Sequence, residues 1–112
     1  MVYEAPPGFP HYVASKGAVF TLTRCLAKEL GPHQITINTL APGYTESAAS
    51  LNIEANKAME GPKSADIAVA KRCLKRASLP EDMVGTAIFL GSYLSDFVTG
   101  QMIMVNGGGA YH

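Results

Sequence analysis

Between Pro10 and Leu30 the apolar residues recur at helical spacing. Set at about 100° per residue, Tyr12, Val13, Val19, Phe20, Leu22, Leu26, Ala27 and Leu30 share one broad arc, and Lys16 falls near its middle. The other side mixes Arg24, Lys28 and Glu29 with Ala14, Gly17, Ala18, Thr21 and Cys25, residues small enough to let a second helix approach. Gly31-Pro32 closes the pattern, so the spacing predicts a helix over 10–30 that packs on two sides. Ile35-Thr36-Ile37-Asn38-Thr39-Leu40 is rich in β-branched residues and runs into Ala41-Pro42-Gly43, which predicts a strand over 35–40 ending in a tight loop. Two helical stretches follow over 47–59 and 63–77, divided by Gly61-Pro62; the second has an apolar stripe at Ile67, Ala70 and Leu74. Ser78-Leu79-Pro80-Glu81 reads as a capping box opening a helix over 79–91, with Val84, Ala87, Ile88 and Leu90 inward. The continuously apolar run Gln101-Met102-Ile103-Met104-Val105 predicts a last strand over 101–105 buried on both faces, and Asn106-Gly107-Gly108-Gly109 ends it.

Helix, strand, helices, strand is the order of an α/β protein with a parallel sheet. Two parallel strands alone leave both outer edges unpaired, and a sheet that small is marginal without cover. Composition points the same way. Only 16% of the 112 residues are charged, against 47% hydrophobic, which is too apolar for a small domain that is mostly surface. The expectation is that something covers part of this chain. Nine basic residues balance nine acidic ones and the pI is about 6.8, so no basic excess marks a nucleic-acid or membrane-surface binder. No apolar run reaches the length of a membrane span and the first residues lack a signal-peptide pattern, giving a cytoplasmic expectation. Cys25 and Cys73 are too few for a disulfide framework and fall inside helical patterns, as reduced thiols acting as small apolar residues do.

Tyr12 and Lys16 are four apart, hence one turn apart on one helix face. Spacing alone is weak, because a shuffled chain of this composition yields roughly 0.3 such pairs. Two readings stay open on the residues: Lys16 runs past Phe20 to water beside a core aromatic, or the pair carries chemistry. The second has a physical logic. A phenol ionises near about 10 and is a poor base at neutral pH, whereas an adjacent ammonium favours the phenolate and lets it exchange a proton with an alcohol or carbonyl oxygen. The loop Ala41-Pro42-Gly43-Tyr44-Thr45-Glu46-Ser47 lies at the carboxyl end of a strand, the edge where open α/β sheets bind ligands. The cations Lys71, Arg72, Lys75 and Arg76 read either as a solvated helix face or as a phosphate or RNA patch, and the neutral total charge favours the first.

Tyr12-x3-Lys16, with Ser15 before the Lys, Gly17-Ala18-Val19 after it and Leu22-Thr23-Arg24 beyond, resembles the active-site helix of the classical short-chain dehydrogenase/reductases. The likeness continues through Ile37-Asn38-Thr39-Leu40-Ala41-Pro42-Gly43, Leu79-Pro80-Glu81-Asp82 and Phe97-Val98-Thr99-Gly100-Gln101-x3-Val105-Asn106-Gly107-Gly108. It is strongest to the 3-oxoacyl-acyl-carrier-protein reductase type and spans nearly the whole chain in order. The resemblance implies the C-terminal part of a Rossmann-type doubly wound parallel sheet, with two strands and about four helices present and the N-terminal nucleotide-binding half missing. It implies NAD or NADP as cofactor, a small alcohol or ketone as substrate, no metal, and a homo-oligomeric parent. Tyr12 would be the proton donor or acceptor and Lys16 would bond the nicotinamide ribose while favouring the phenolate. Pro42 and Gly43 would line the nicotinamide, Thr45 would meet its carboxamide through the backbone, and Ser47 falls where the family often has a Thr that binds phosphate or amide.

The sequence departs from the family pattern at its front. No Gly-rich turn precedes Tyr12, and Gly107-Gly108-Gly109 is no substitute because no helix follows it. The residue that separates NAD from NADP is absent, as is the catalytic Ser expected about a dozen residues before the Tyr. Asn106 stands where an Asp is usual, at a position that reads as structural. The resemblance therefore predicts a fragment that, as 112 residues alone, transfers no hydride. An alternative is a non-catalytic interaction module that pairs with full-length relatives through the 10–30 helix.

Overall fold

The computed structural model describes residues 8, 10–48, 50–52 and 64–111. Helix α1 spans Pro10–Leu30 and a 3-10 turn, Gly31–His33, follows it directly. Strand β1 is Thr39–Pro42 and strand β2 is Met102–Val105; they pair in parallel with Thr39 opposite Met102 and Pro42 opposite Val105. Between the strands lie helical residues 48 and 50–52, helix α2 over Ser64–Lys71, a 3-10 turn at Pro80–Met83, helix α3 over Val84–Leu90 and a 3-10 turn at Tyr93–Ser95. The described residues thus form an α/β unit with four helical stretches and one two-stranded parallel sheet.

The chain leaves α1 by a route different from the Gly31 stop. Gly31 and Pro32 enter the 3-10 turn, for which the fixed φ of Pro is suited, and the left-handed step falls on Gln34, φ 59°. The Gln34 N–H donates to Gly31 O at 2.9 Å and that of Ile35 to Leu30 O at 3.3 Å, so the exit closes on the helix end.

The strand expected over 35–40 is displaced to Thr39–Pro42. Residues 37 and 38 meet the other strand's approach by one backbone bond, Gly100 N–H to Ile37 O at 2.7 Å, and otherwise through side chains. Ile37 N–H donates to Thr99 Oγ1 at 3.1 Å; Asn38 Nδ2 donates to Val98 O at 2.8 Å while its Oδ1 accepts from Gln101 N–H at 3.0 Å. Gly100 has φ 71°, a conformation outside an extended strand, so regular pairing begins only past it, at Thr39 and Met102. The last strand, expected over 101–105, likewise starts at Met102 and is half-buried along its length instead of buried on both faces.

The other expected helices are shortened for tertiary reasons. Of the stretch 47–59, residues 48 and 50–52 are helical and 53–59 lie outside the described residues. The 63–77 helix ends at Lys71, because the Arg72 guanidinium is drawn inward and Leu74 N–H donates to Gly107 O at 3.0 Å beyond β2. Cys73 therefore sits in a bend, not a helix, with its Sγ 2.9 Å from the Tyr111 hydroxyl, a contact that pushes the phenol up. The 79–91 helix divides into the Pro80–Met83 turn and α3, and its cap is one residue later than expected. Ser78 is extended and bridges Thr45, so Asp82 reaches back instead, accepting from Leu79 N–H at 2.9 Å.

The described residues build almost no core of their own. Ala27 is the one buried apolar residue among those described. Val19, Leu22, Ile67, Leu74, Val84, Ile88 and Phe97 are exposed, although Ile67, Leu74, Val84 and Ile88 belong to stripes expected to face inward. The accessible surface is 7879 Å², against about 5,900 Å² for a folded monomer of this mass. The excess agrees with the low charged fraction: these are surfaces made to be covered.

Gln34→Gly is expected to stabilise the fold by about 0.5–1 kcal/mol, since it relieves a side chain held in the left-handed region. A denaturant titration checks this, and an unchanged or lower midpoint would show the exit to be unstrained.

Candidate active site

Two contacts orient α1 on the sheet. The Thr39 hydroxyl at the start of β1 donates to Thr23 Oγ1 at 2.8 Å, and Ala27 Cβ lies 3.3 Å from where a side chain on Gly100 would begin. Going back along the helix from Ala27 to Thr23 therefore follows the strands forward, and α1 runs antiparallel to both. Lys16 is seven residues before Thr23, about 10 Å along the helix, and Pro42 is three residues after Thr39, about 10 Å along the strand. Lys16 is thus level with the carboxyl ends of the strands, and Tyr12 lies one turn further out.

Both side chains are exposed there, Tyr12 at 40%, with Lys16 Nζ 5.4 Å from the centre of the phenol ring. This explains how a cation sits on an apolar arc. The arc is buried where it crosses the sheet, at Thr23 and Ala27, and has passed the sheet edge by the time it reaches Lys16. The ammonium lies over the ring and needs no burial. The Ser15 hydroxyl is turned back to Tyr12 O at 2.8 Å, an ordinary helix contact.

The loop after β1 is fixed from several directions. Gly43 N–H donates to Val105 O at 3.1 Å, and a Cβ on Gly43 would sit 2.9 Å from Asn106 Cβ. Gly43 is therefore packed closely against the end of β2. The Thr45 hydroxyl donates to Gly43 O at 3.1 Å and lies 3.4 Å from Ser78 Oγ; Glu46 N–H donates to Ser78 O at 2.8 Å. With its hydroxyl turned inward, Thr45 has only its backbone to offer outward. Ser47 and Ser50 exchange bonds, Ser47 N–H to Ser50 Oγ at 2.8 Å and Ser50 N–H to Ser47 Oγ at 3.2 Å, a capping box with Ser in place of Glu. The structure thus brings Pro42, Gly43, Thr45 and Ser47 together in one loop and sets Lys16 level with its start, while the Ser47 hydroxyl is occupied by its own helix start.

The basic run is dispersed. Arg72 is 4% exposed and donates to Arg76 O at 3.0 Å and to Tyr44 O. Arg76 forks onto Asp82 at 2.6 and 2.7 Å, and Lys75 donates to Ala70 O. That fork first, and Leu79 N–H second, hold the Asp82 carboxyl well below the usual carboxylate range, and the same bond raises Arg76. Sequence reasoning missed Arg72: a buried Arg inside a run of cations looks like its exposed neighbours, and no spacing marks it.

A nicotinamide ribose and carboxamide fit the donor set at this edge, which offers an exposed ammonium, a phenol and loop backbone. A pyrophosphate does not fit Gly107-Gly108-Gly109. Those residues pack on Arg72 and Cys73, and a Cβ on Gly108 would sit 2.8 Å from Cys73 Sγ. Asn106 holds that turn, its Oδ1 accepting from Gly108 N–H at 2.9 Å and its Nδ2 donating to Ala110 O at 2.9 Å. Among the described residues no cluster of His, Cys, Asp and Glu could hold a metal ion, and no helix is long and apolar enough to cross a membrane.

A family model described as enoyl-(acyl carrier protein) reductase matches residues 2–110. The 2-dehydro-3-deoxy-D-gluconate 5-dehydrogenase of Dickeya dadantii is 39% identical over 99 residues, covering 88% of this chain and 37% of its own length. The 3-oxoacyl-[acyl-carrier-protein] reductase of Chlamydia pneumoniae is 36% identical over 104 residues, 93% of this chain and 39% of that protein. Among solved structures, a 4-hydroxyisoleucine dehydrogenase complexed with NADH superposes with a TM-score of 0.80 at 30% identity, over 95% of this chain and 42% of that one. The chain spans about two fifths of the length of these relatives.

Gly43→Ala is expected to cost about 1–3 kcal/mol, because the new methyl group meets Asn106 Cβ and backbone and must part the strand ends. A melt within a degree of the parent would refute that contact. For Asp82→Asn the pH dependence is the test. A depressed native pKa gives stability that is present above the unfolded value of about 3.9 and is lost as pH falls toward the native value. The deficit of the variant in chemical denaturation should be full at pH 6 and shrink below about pH 4; a deficit constant across that range would count against the pairing.

Proposed function

The chain belongs to the short-chain dehydrogenase/reductase family, and within it we propose that these residues supply the proton-transfer half of an NAD(P)-dependent oxidoreductase acting on a small alcohol or ketone. The observation that carries the reading is the Lys16 ammonium over the Tyr12 ring at the carboxyl edge of two parallel strands. Tyr12 donates a proton to a ketone oxygen in reduction, or takes one from an alcohol in oxidation. Lys16 stabilises negative charge on the phenol oxygen, and its three N–H donors suit ribose hydroxyls. Pro42 and Gly43 form the wall against the ring, and Thr45 offers its backbone to the carboxamide. A bound nicotinamide cofactor supplies or accepts the hydride. The exposure of Val19, Leu22, Val84, Ile88 and Phe97 supports a larger assembly in which further polypeptide contributes the phosphate-binding portion. A relative named as a 2-dehydro-3-deoxy-D-gluconate 5-dehydrogenase and one named as a 3-oxoacyl-[acyl-carrier-protein] reductase support alcohol/ketone chemistry as the substrate class proposed here.

The 112 residues alone are expected to transfer no hydride from NADH or NADPH. Fused behind the phosphate-binding portion of a full-length relative, they should support ketone reduction, and Tyr12→Phe should lower kcat at least about 100-fold with little change in cofactor KM. A fusion in which Tyr12→Phe retains full kcat would sink the reading.

A further inference from the structure

Arg72 is a buried cation that the reaction as described does not use. At 4% exposure its guanidinium is bonded by Nη1 to Arg76 O and by Nη2 to Tyr44 O, both backbone carbonyls. The carboxylate nearby, Asp82, is engaged by the fork of Arg76. Three glycines make room for the side chain: a Cβ on Gly107 would lie 3.3 Å from Arg72 Cδ, one on Gly109 3.3 Å from Cγ, and one on Gly43 3.4 Å from Nη2. The loops leaving β1 and β2 therefore close around one residue. Among the described residues no carboxylate bonds this guanidinium, which Asp82 feels only weakly and through space, and burying a cation so is unfavourable unless what it holds gives a reason.

What it holds is the Tyr44–Thr45 peptide. That unit is planar and trans, so its C=O and the N–H of Thr45 point in opposite directions. Drawing Tyr44 O toward Arg72 turns the Thr45 N–H the other way. The bridge to Ser78 agrees: Thr45 pairs with Ser78 in parallel, with Glu46 N–H donating to Ser78 O, and in such a bridge the central residue's own N–H and C=O face away from the partner. The Thr45 hydroxyl is also turned inward, leaving the peptide edge as the outward group.

We propose that Arg72 is a positioning residue that, through the Tyr44 carbonyl, presents the Thr45 N–H to the carboxamide of a bound nicotinamide. This rests on the reading of the loop as the nicotinamide wall. Arg72 touches neither cofactor nor substrate; it sets the direction of a donor that does.

In the full chain, Arg72→Met keeps the apolar stem and removes the donors, while Arg72→Lys keeps a charge and a single donor nitrogen. Hydrogen exchange of the Glu46 amide should quicken at least tenfold in Arg72→Met and recover in part in Arg72→Lys, while the Thr39 and Gly100 amides of the sheet stay within twofold. Unchanged Glu46 exchange, or quickening shared equally by the sheet, overturns the clamp. The nicotinamide arm uses the fusion with a relative's phosphate-binding portion, titrated with NADH and with ADP-ribose, which lacks the nicotinamide. Arg72→Met should weaken NADH binding at least tenfold and ADP-ribose less than twofold. Equal losses for both probes overturn the positioning role alone. A parent fusion that binds NADH no more tightly than ADP-ribose overturns the nicotinamide wall, and with it the functional reading.

Discussion

The parallel register of Thr39–Pro42 on Met102–Val105 is the constraint from which the rest hangs. Parallel strands cannot be joined by a tight turn, so some sixty residues must leave one end of the sheet and return to the other. The register is held at both ends by contacts that are not part of the ladder. Asn38 brackets Val98 and Gln101 at the start, and Gly43 lies against Asn106 at the finish. With the ends fixed, the carboxyl edge gathers the loop over 43–47 and the turn over 106–109. The Thr23–Thr39 bond then sets α1 so that Tyr12 and Lys16 project past the same edge.

Charge is used sparingly and locally. In the run from Lys71 to Arg76, one cation is buried on backbone carbonyls, one forks onto Asp82 and one folds back on its own helix end. Lys71 remains exposed at the end of α2, and a single cation makes no stripe for a polyanion. The two arginines join the segment after α2 to the loop after β1 and to the cap of the Pro80–Met83 turn. A region of weak helical character is thereby tied to the site edge by directed bonds, where apolar burial is scarce.

That scarcity has a functional side. A helix flanked by uncovered Val19 and Leu22, an α3 with Val84 and Ile88 in solvent, and an exposed Phe97 are apolar surfaces that none of the described residues covers. Family membership and a match to about two fifths of each relative's length give those surfaces a context.

The sequence by itself determined the extent of α1, the order of strand and helix, the pairing of Tyr12 with Lys16, and an apolar excess larger than a small domain needs. These are local or compositional properties: a 3.6-residue period, β-branched runs and a four-residue spacing are written in neighbouring letters. Only the tertiary structure decided where pairing begins, which hydroxyls remain available and what the cations do. Regular pairing could not begin before Thr39 because the residue met by Ile37 is a left-handed Gly100, far away in the chain. Ser78 could not cap a helix because Glu46 had claimed its carbonyl in the bridge to Thr45, and Arg72 could not be told from Lys71 until Tyr44 O was beside it. In each case the deciding partner is distant in the chain, and a pattern of neighbours carries no record of it.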